Sequence, residues 1–251
     1  MERAATAAAT APATAIVTGG GKRVGAAIVA ALLVDGWRVV AHVHHDGDSV
    51  PEGAIKVVAD LAEADCAIRI FSACEQLPPV RLLVNNAARF AGDQFGDASA
   101  AEFAAHMAVN ARAPMLLIDE LARRKREGDA LVVNITDAKL AAPNADFLSY
   151  TLSKFALAGL TEVAARALAA KGIRVNAIAP ALMLPSGEQD ADNFAEMHTH
   201  NPLHKGVEPD DVVTALRFLI DSRGTTGQTL TIDGGQRFWS LARDVQFLET
   251  K

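Results

Sequence analysis

Short apolar runs rich in Val, Ile and Ala alternate along the chain with longer stretches whose apolar residues recur at helical spacing. The runs Ala15–Thr18, Arg38–Val43, Ala54–Ala59, Arg81–Asn85, Ala130–Thr136, Ile173–Ala179 and Thr229–Asp233 read as strands. Several are continuously apolar rather than alternating, as parallel strands covered on both faces are. The stretches Val24–Asp35, Ser99–Glu127, Asp146–Lys171 and Pro209–Ser222 read as helices, and Gly36, Gly128 and Gly172 stand just past three of them as C-terminal caps. Strand and helix in regular alternation predict an α/β, Rossmann-type fold: one doubly wound parallel sheet of about seven strands with helices on both faces. The domain is expected over residues 15–251, after a flexible tail, 1–14. Ala181–Val207 breaks the rhythm with little periodicity, which predicts an irregular substrate-binding loop.

Composition narrows the function. The 251 residues suffice for one buried core, and 50% hydrophobic with 22% charged is not a disordered composition. A net charge of −6 offers no basic field for nucleic acid or an anionic membrane surface, so the expected partner is a small molecule. The basic run Arg123-Arg124-Lys125-Arg126 reads as cations closing a helix. Cys66 and Cys74 form no CxxC pair and read as small apolar residues of a reducing cytoplasm. Met1–Thr14 lacks the basic flank and apolar run of a secretory signal, and no apolar stretch reaches bilayer length. A cytoplasmic location is the expectation.

The first strand runs into Thr18-Gly19-Gly20-Gly21-Lys22-Arg23-Val24-Gly25 and then a helix. Glycines in that context permit a tight turn and close approach of backbone to a pyrophosphate at the helix N-terminus. An NAD site places an acid about 20 residues further on, for the ribose hydroxyls. Here the second strand ends Val40-Ala41-His42-Val43-His44-His45 with no acid before Asp46. The Arg23 guanidinium with imidazoles nearby favours a 2′-phosphate, hence NADPH/NADP. Asp46 and Asp48 are the contrary signal that keeps NADH as the alternative. The histidine triplet, and His198, His200 and His204, lack the company that marks a zinc site, so no metal is expected.

Tyr150-Thr151-Leu152-Ser153-Lys154 puts a phenol and an ammonium on one helix face at i, i+4. The ammonium is expected to lower a phenol pKa ordinarily about 10, making a usable proton donor near neutrality. With these residues the chain, from Ala15 to Gln236, resembles the short-chain dehydrogenases/reductases. The likeness is carried by Thr18–Gly25, Asp60, Asn85-Asn86-Ala87, Asn110, Tyr150/Lys154, Pro180 and Asp233-Gly234-Gly235. It implies that Asp60, with Leu61 beside it, holds the adenine and that Asn86, Ala87 and Ala88 pack on the cofactor. Gly19, Lys22, Arg23, Val24 and Gly25 would take the phosphates, with His44 and His45 at the 2′-position. Lys154 and Pro180 would lie by the nicotinamide ribose, Asn110 would hold a relay water, and Tyr150 would be the acid.

Two departures are informative. Arg23, preceded by Lys22, stands in the glycine loop, and the usual serine, 13 residues before the tyrosine, is Asp137. An ionised carboxylate cannot donate to a carbonyl oxygen but suits a substrate presenting N–H groups. Asp137, Lys22-Arg23 and the histidine-rich strand end resemble the pteridine reductase and dihydromonapterin reductase branch. That branch also has a phenylalanine shortly after Asn-Asn-Ala, here Phe90, stacking on the pterin. The resemblance therefore implies NADPH-dependent reduction of a dihydropterin, with Phe90, Asp137, Tyr150, Leu182 and Met183 at the substrate. Alternatives are a carbonyl or alcohol oxidoreductase using Thr136 in the serine's role, and an NADP-binding sensor without turnover. It further implies a homotetramer through the two long helices, with Ala156, Ala158, Ala164 and Ala165 allowing close contact. The tail Arg237–Lys251 extends past the resemblance.

Overall fold

The computed structural model describes residues 13–125, 127–185 and 189–248. Most of the expected tail, and Arg126 of the basic run, lie outside them. Seven strands, β1 (Thr14–Val17), β2 (Arg38–Val43), β3 (Ile55–Val58), β4 (Val80–Asn85), β5 (Ala130–Ile135), β6 (Ile173–Pro180) and β7 (Thr229–Ile232), form one sheet in the order β3-β2-β1-β4-β5-β6-β7. Every pairing is parallel. Helices α1 (Arg23–Val34), α2 (Cys66–Ser72), α3 (Ala100–Met107), α4 (Ala113–Arg124), α5 (Leu148–Leu168), α6 (Ala191–His198) and α7 (Pro209–Asp221) connect them.

The two faces of the sheet build two cores. Ile16, Val40, Leu83, Val132 and Val175 pack with α2, α4 and α5, while Ala15, Val17, Val39, Leu82 and Val133 pack with α1 and α7. Adjacent strand residues thus go to opposite cores, which is why the strands read as unbroken apolar runs. One polar thread crosses this interior. Asn85 Nδ2 donates to Asn134 Oδ1 at 2.8 Å, and Asn134 Nδ2 donates to Thr161 Oγ1 on α5 at 2.9 Å. Gly36 and Gly172 do occupy left-handed backbone past α1 and α5, at φ 87° and 67°.

Several expectations are corrected. The stretch 99–127 is two helices joined by a π turn, Ala108–Arg112. Pro114 has no N–H for the Asn110 carbonyl four residues earlier, so the α-ladder cannot pass there. The loop 181–207 contains α6, capped by the Asp190 carboxylate on the Asp192 and Asn193 N–H groups. Helix α2 was not anticipated, being only 7 residues long. Ala164 and Ala165 belong to the core rather than to an outward face; Ala156 and Ala158 are partly exposed. Thr14 is already part of β1, and the segment after Arg237 folds back over the carboxyl end of the sheet. Among the described residues no helix is long and apolar enough to cross a membrane.

Candidate active site

The carboxyl ends of β1 to β6 open on one cleft of about 1000 Å³, where doubly wound sheets receive ligands. The loops after β1 and β4 are stitched together at its floor. Thr18 Oγ1 accepts the Asn86 and Ala87 N–H groups, each at 3.0 Å, and Asn86 Nδ2 donates to the Thr18 and Gly19 carbonyls at 2.9 and 3.2 Å. A Cβ on Gly25 would stand 2.0 Å from the Gly19 oxygen, and one on Gly19 3.0 Å from Ala87 Cα. The turn therefore shows bare backbone at the amino end of α1, an arrangement able to take a pyrophosphate.

His42, one of the three clustered histidines, is buried and serves the backbone. Its Nδ1 accepts the Gly19 N–H at 3.2 Å and its Nε2–H donates to the Ala59 carbonyl at 2.9 Å. Burial holds its pKa below the usual imidazole value, so it stays neutral. His44 and His45 line the cleft with ring centroids 4.1 Å apart, and His44 Nε2 lies 3.8 Å from Asp60. The contrary acids are both engaged. Asp46 faces Lys56 at 3.5 Å outside the cleft, whereas Asp48 lines it and accepts the His45 N–H at 3.0 Å. That bond holds the Asp48 carboxyl below its ordinary pKa.

The guanidinium expected beside the histidines is elsewhere. Arg23, at φ 54°, donates to the Pro185 and Leu184 carbonyls at 2.7 and 3.3 Å, reaching across to the loop after β6. Lys22 lines the same corner, and its charge bears on Asp48.

At the opposite end the Tyr150 hydroxyl donates to Asp137 Oδ2 at 2.8 Å. Asp137 Oδ1 accepts the Lys139 N–H at 2.8 Å, which fixes the carboxylate's direction. Lys154 is buried, donates to the Ile135 carbonyl at 2.7 Å, and has its Nζ 5.6 Å from the Tyr150 ring centroid. Burial lowers its pKa to about 8. Tyr150 shifts opposite to expectation, well above its ordinary value near 10. Burial is the first cause and the Asp137 charge the second, and both penalise a phenolate. The phenol is thus a firmly protonated donor. Thr136 is buried and its hydroxyl donates to the Ile178 carbonyl at 3.2 Å.

Phe90 stands at the rim, 41% exposed, with its ring 4.8 Å from Tyr150 edge to face and 4.5 Å from Phe147. It is a cleft residue, not a core aromatic. Three buried or paired side chains hold its loop. Arg89 makes a two-point ion pair with Glu102, His106 Nε2 accepts the Ala91 N–H at 3.3 Å, and Asn110 grips both the Arg89 N–H (2.7 Å) and its carbonyl (2.9 Å). Asn110 Nδ2 also donates to Ser153 Oγ at 2.9 Å. Asn110 is the one candidate site residue that does not line the cleft; its side chain lies beneath, tying the Phe90 loop to α5. Gly19, Lys22, Arg23, Val24, Gly25, His44, His45, Asp60, Leu61, Asn86, Ala87, Ala88, Pro180, Leu182 and Met183 all line it. Not anticipated were Lys139, Phe147 and the tail residues Trp239, Leu241, Asp244, Val245 and Gln246, which also line the cleft. The positive φ of Phe147, 55°, marks strained backbone there.

A bare-backbone turn at one end of a cleft and an Asp–Tyr–Lys group at the other, on a doubly wound sheet, define a dinucleotide-type oxidoreductase. The chain belongs to the short-chain dehydrogenase/reductase family: the family model described as enoyl-(acyl carrier protein) reductase matches residues 21–237. Among its relatives, pteridine reductase 1 of Leishmania tarentolae is 30% identical, with 93% of this chain and 98% of that protein covered. L-xylulose reductase of Mesocricetus auratus is 34% identical, covering 88% and 95%. The solved structure of FolM alternative dihydrofolate reductase 1 from Brucella suis, in complex with NADP, superposes with a TM-score of 0.84 at 36% identity, covering 91% of this chain and 96% of that one.

Proposed function

We propose that this protein is an NADPH-dependent reductase of dihydropterins. The observation that carries the reading is the 2.8 Å bond from the Tyr150 hydroxyl to a carboxylate, Asp137, with Phe90 edge-on to the same phenol. The cofactor assignment rests on the Gly19–Gly25 turn, which has room for phosphate but not for a Cβ at Gly25, and on Lys22, His44 and His45 at the adenosine end. It is supported by the NADP in the similar Brucella protein. Asp60 and Leu61 would hold the adenine, and Asn86, Ala87, Ala88 and Pro180 would pack on the dinucleotide.

NADPH supplies the hydride when bound. The chain's own residues do the rest. Phe90 offers a face for a flat heterocycle, with Leu182 and Met183 across the cleft. Asp137 accepts from ring N–H or amino groups, a role that a hydroxyl paired to Ile178, as Thr136's is, does not fill. Tyr150 delivers a proton to the reduced C=N nitrogen and recovers one through Asp137 and water. Lys154 has given one of its three N–H groups to Ile135, leaving the others for ribose hydroxyls. Holding ring and cofactor in register removes much of the entropic barrier.

The finer assignments belong to the same proposal: one catalytic domain over 15–251 with 181–207 as substrate loop, a cytoplasmic location, and a homotetramer. Exposed Met115 on α4 and Leu152, Phe155 and Val163 on α5 support helix-mediated assembly. Steady-state NADPH oxidation with dihydrobiopterin, dihydromonapterin and dihydrofolate tests the function; no oxidation with any of them overturns it. Similarity to L-xylulose reductase favours a second reading, reduction of a small carbonyl compound, in which Asp137→Ser keeps or raises activity.

A further inference from the structure

The chain's last described segment makes part of the cleft. Arg243 Nε donates to both Asp146 oxygens at 3.0 and 2.9 Å, and the Asp244 N–H donates to Asp146 Oδ2 at 2.7 Å. These hydrogen bonds and the Arg243 charge outweigh burial, holding the Asp146 carboxyl below its usual pKa. Phe247 stacks on Phe147 at 5.5 Å, which in turn meets Phe90. Asn193 of α6 donates to the Leu248 carbonyl at 3.2 Å. This docking places the Asp244 carboxylate in the cleft wall at 15% exposure, 3.4 Å from Lys139 Nζ, itself 10% exposed and bonded to the Asp146 carbonyl at 2.6 Å. The Asp244 charge bears on Tyr150, and that of Asp137 on Asp244, so this wall adjoins the reacting groups.

Resting on the dihydropterin reading, we propose that the ion pair Lys139–Asp244 selects the side chain of the substrate, admitting uncharged, hydroxylated chains and disfavouring anionic ones. With the two charges cancelling each other, Lys139 is not free to receive a carboxylate. Asn144 and Gln246 line the same cleft; Asn144 Oδ1 accepts the Asp146 N–H at 3.2 Å, and its Nδ2 and the Gln246 amide are groups suited to hydroxyls. Asp137 adds a further negative charge nearby. A glutamate-bearing dihydropterin therefore meets net repulsion where a polyol chain meets hydrogen-bond partners.

The test compares kcat/KM for dihydrofolate, which carries a glutamate, with that for dihydrobiopterin, which carries a neutral diol, in the full chain. Asp244→Asn keeps the cap on the Gln246 N–H and unmasks Lys139. The dihydrofolate to dihydrobiopterin ratio should rise about tenfold, the equivalent of one charge-assisted hydrogen bond. Lys139→Gln should move the ratio the other way, and it reads the pair even if the first variant loosens the tail. NADPH affinity, by fluorescence titration, should hold in both. Wild-type turnover with a ratio unmoved in both variants overturns the selection by this pair and leaves the pterin reading standing. Wild-type protein inactive on dihydrobiopterin, dihydrofolate and dihydromonapterin alike overturns that reading and this proposal with it.

Discussion

Asp137→Asn removes one negative charge from beside the Tyr150 hydroxyl while keeping the side chain's size and its capacity to cap the Lys139 N–H. The bond lost in strength is a phenol-to-carboxylate contact of 2.8 Å. Hydrogen bonds to charged groups contribute about 1.5–3 kcal/mol, or roughly 10- to 100-fold in rate if fully realised in the transition state. Removing the relay partner of a general acid costs about 10²–10⁴-fold. A fall in kcat of at least about 100-fold is therefore expected, with NADPH affinity unchanged. The effect on Tyr150 itself is separately measurable, because it is the only tyrosine in the chain. Phenolate absorbance thus reports one group. Its pKa should lie above 10 in the wild type and come down in Asp137→Asn, since the Asp137 charge is among the causes that raise it. Wild-type turnover in the variant, or a phenol titrating at the same pH in both proteins, refutes the assigned coupling.

Lys154 gives an opposed pair of pH effects. Its folded pKa of about 8 lies below its ordinary 10.5, so between these values the unfolded chain binds more protons and stability rises with pH. The rise is at most about 1.4 kcal/mol per pH unit. Turnover that needs the ammonium falls over the same range, and Lys154→Met should lack this part of the stability slope in chemical denaturation. Asn110→Ala should cost about 1–3 kcal/mol for each partner left unpaired, the Arg89 N–H and carbonyl and Ser153 Oγ. A raised KM for the pterin, as the Phe90 loop loosens, should accompany the lower Tm. Gly25→Ala should lose both stability and NADPH binding, because a Cβ 2.0 Å from the Gly19 oxygen forces α1 off the strand; a variant with wild-type Tm refutes the close approach.

The parts legible in the sequence are those written in local pattern. Continuous apolar runs gave all seven strands within a residue or two, and the glycine turn and the Tyr150/Lys154 spacing gave both ends of the cleft. What stayed hidden depends on contacts far apart along the chain. Arg23 reaches the Leu184 and Pro185 carbonyls, 161 and 162 residues on, instead of the nearby histidines. The tail meets Asp146 across 97 and 98 residues, and no local periodicity encodes that. The direction of the Tyr150 shift is not legible in the sequence because helix spacing shows the ammonium, whereas the carboxylate comes from the loop after β5. The π turn was in principle readable, since Pro114 sits where an α-helix needs an N–H.

The Asn85–Asn134–Thr161 thread has a consequence for how the sheet knows its own alignment. Strands of Val, Leu and Ile slide past one another with little loss of burial, whereas amides must meet a partner. Asn85 opposes Asn134 in the β4–β5 ladder, and a slip of one position would strand both amides between helix layers. Like a lone asparagine in a zipper, the pair trades some stability for a single register. Asn86 to Phe90 follow one strand and Asp137 follows the other, so the distance between the aromatic rim and the Asp137 carboxylate is fixed from inside the sheet.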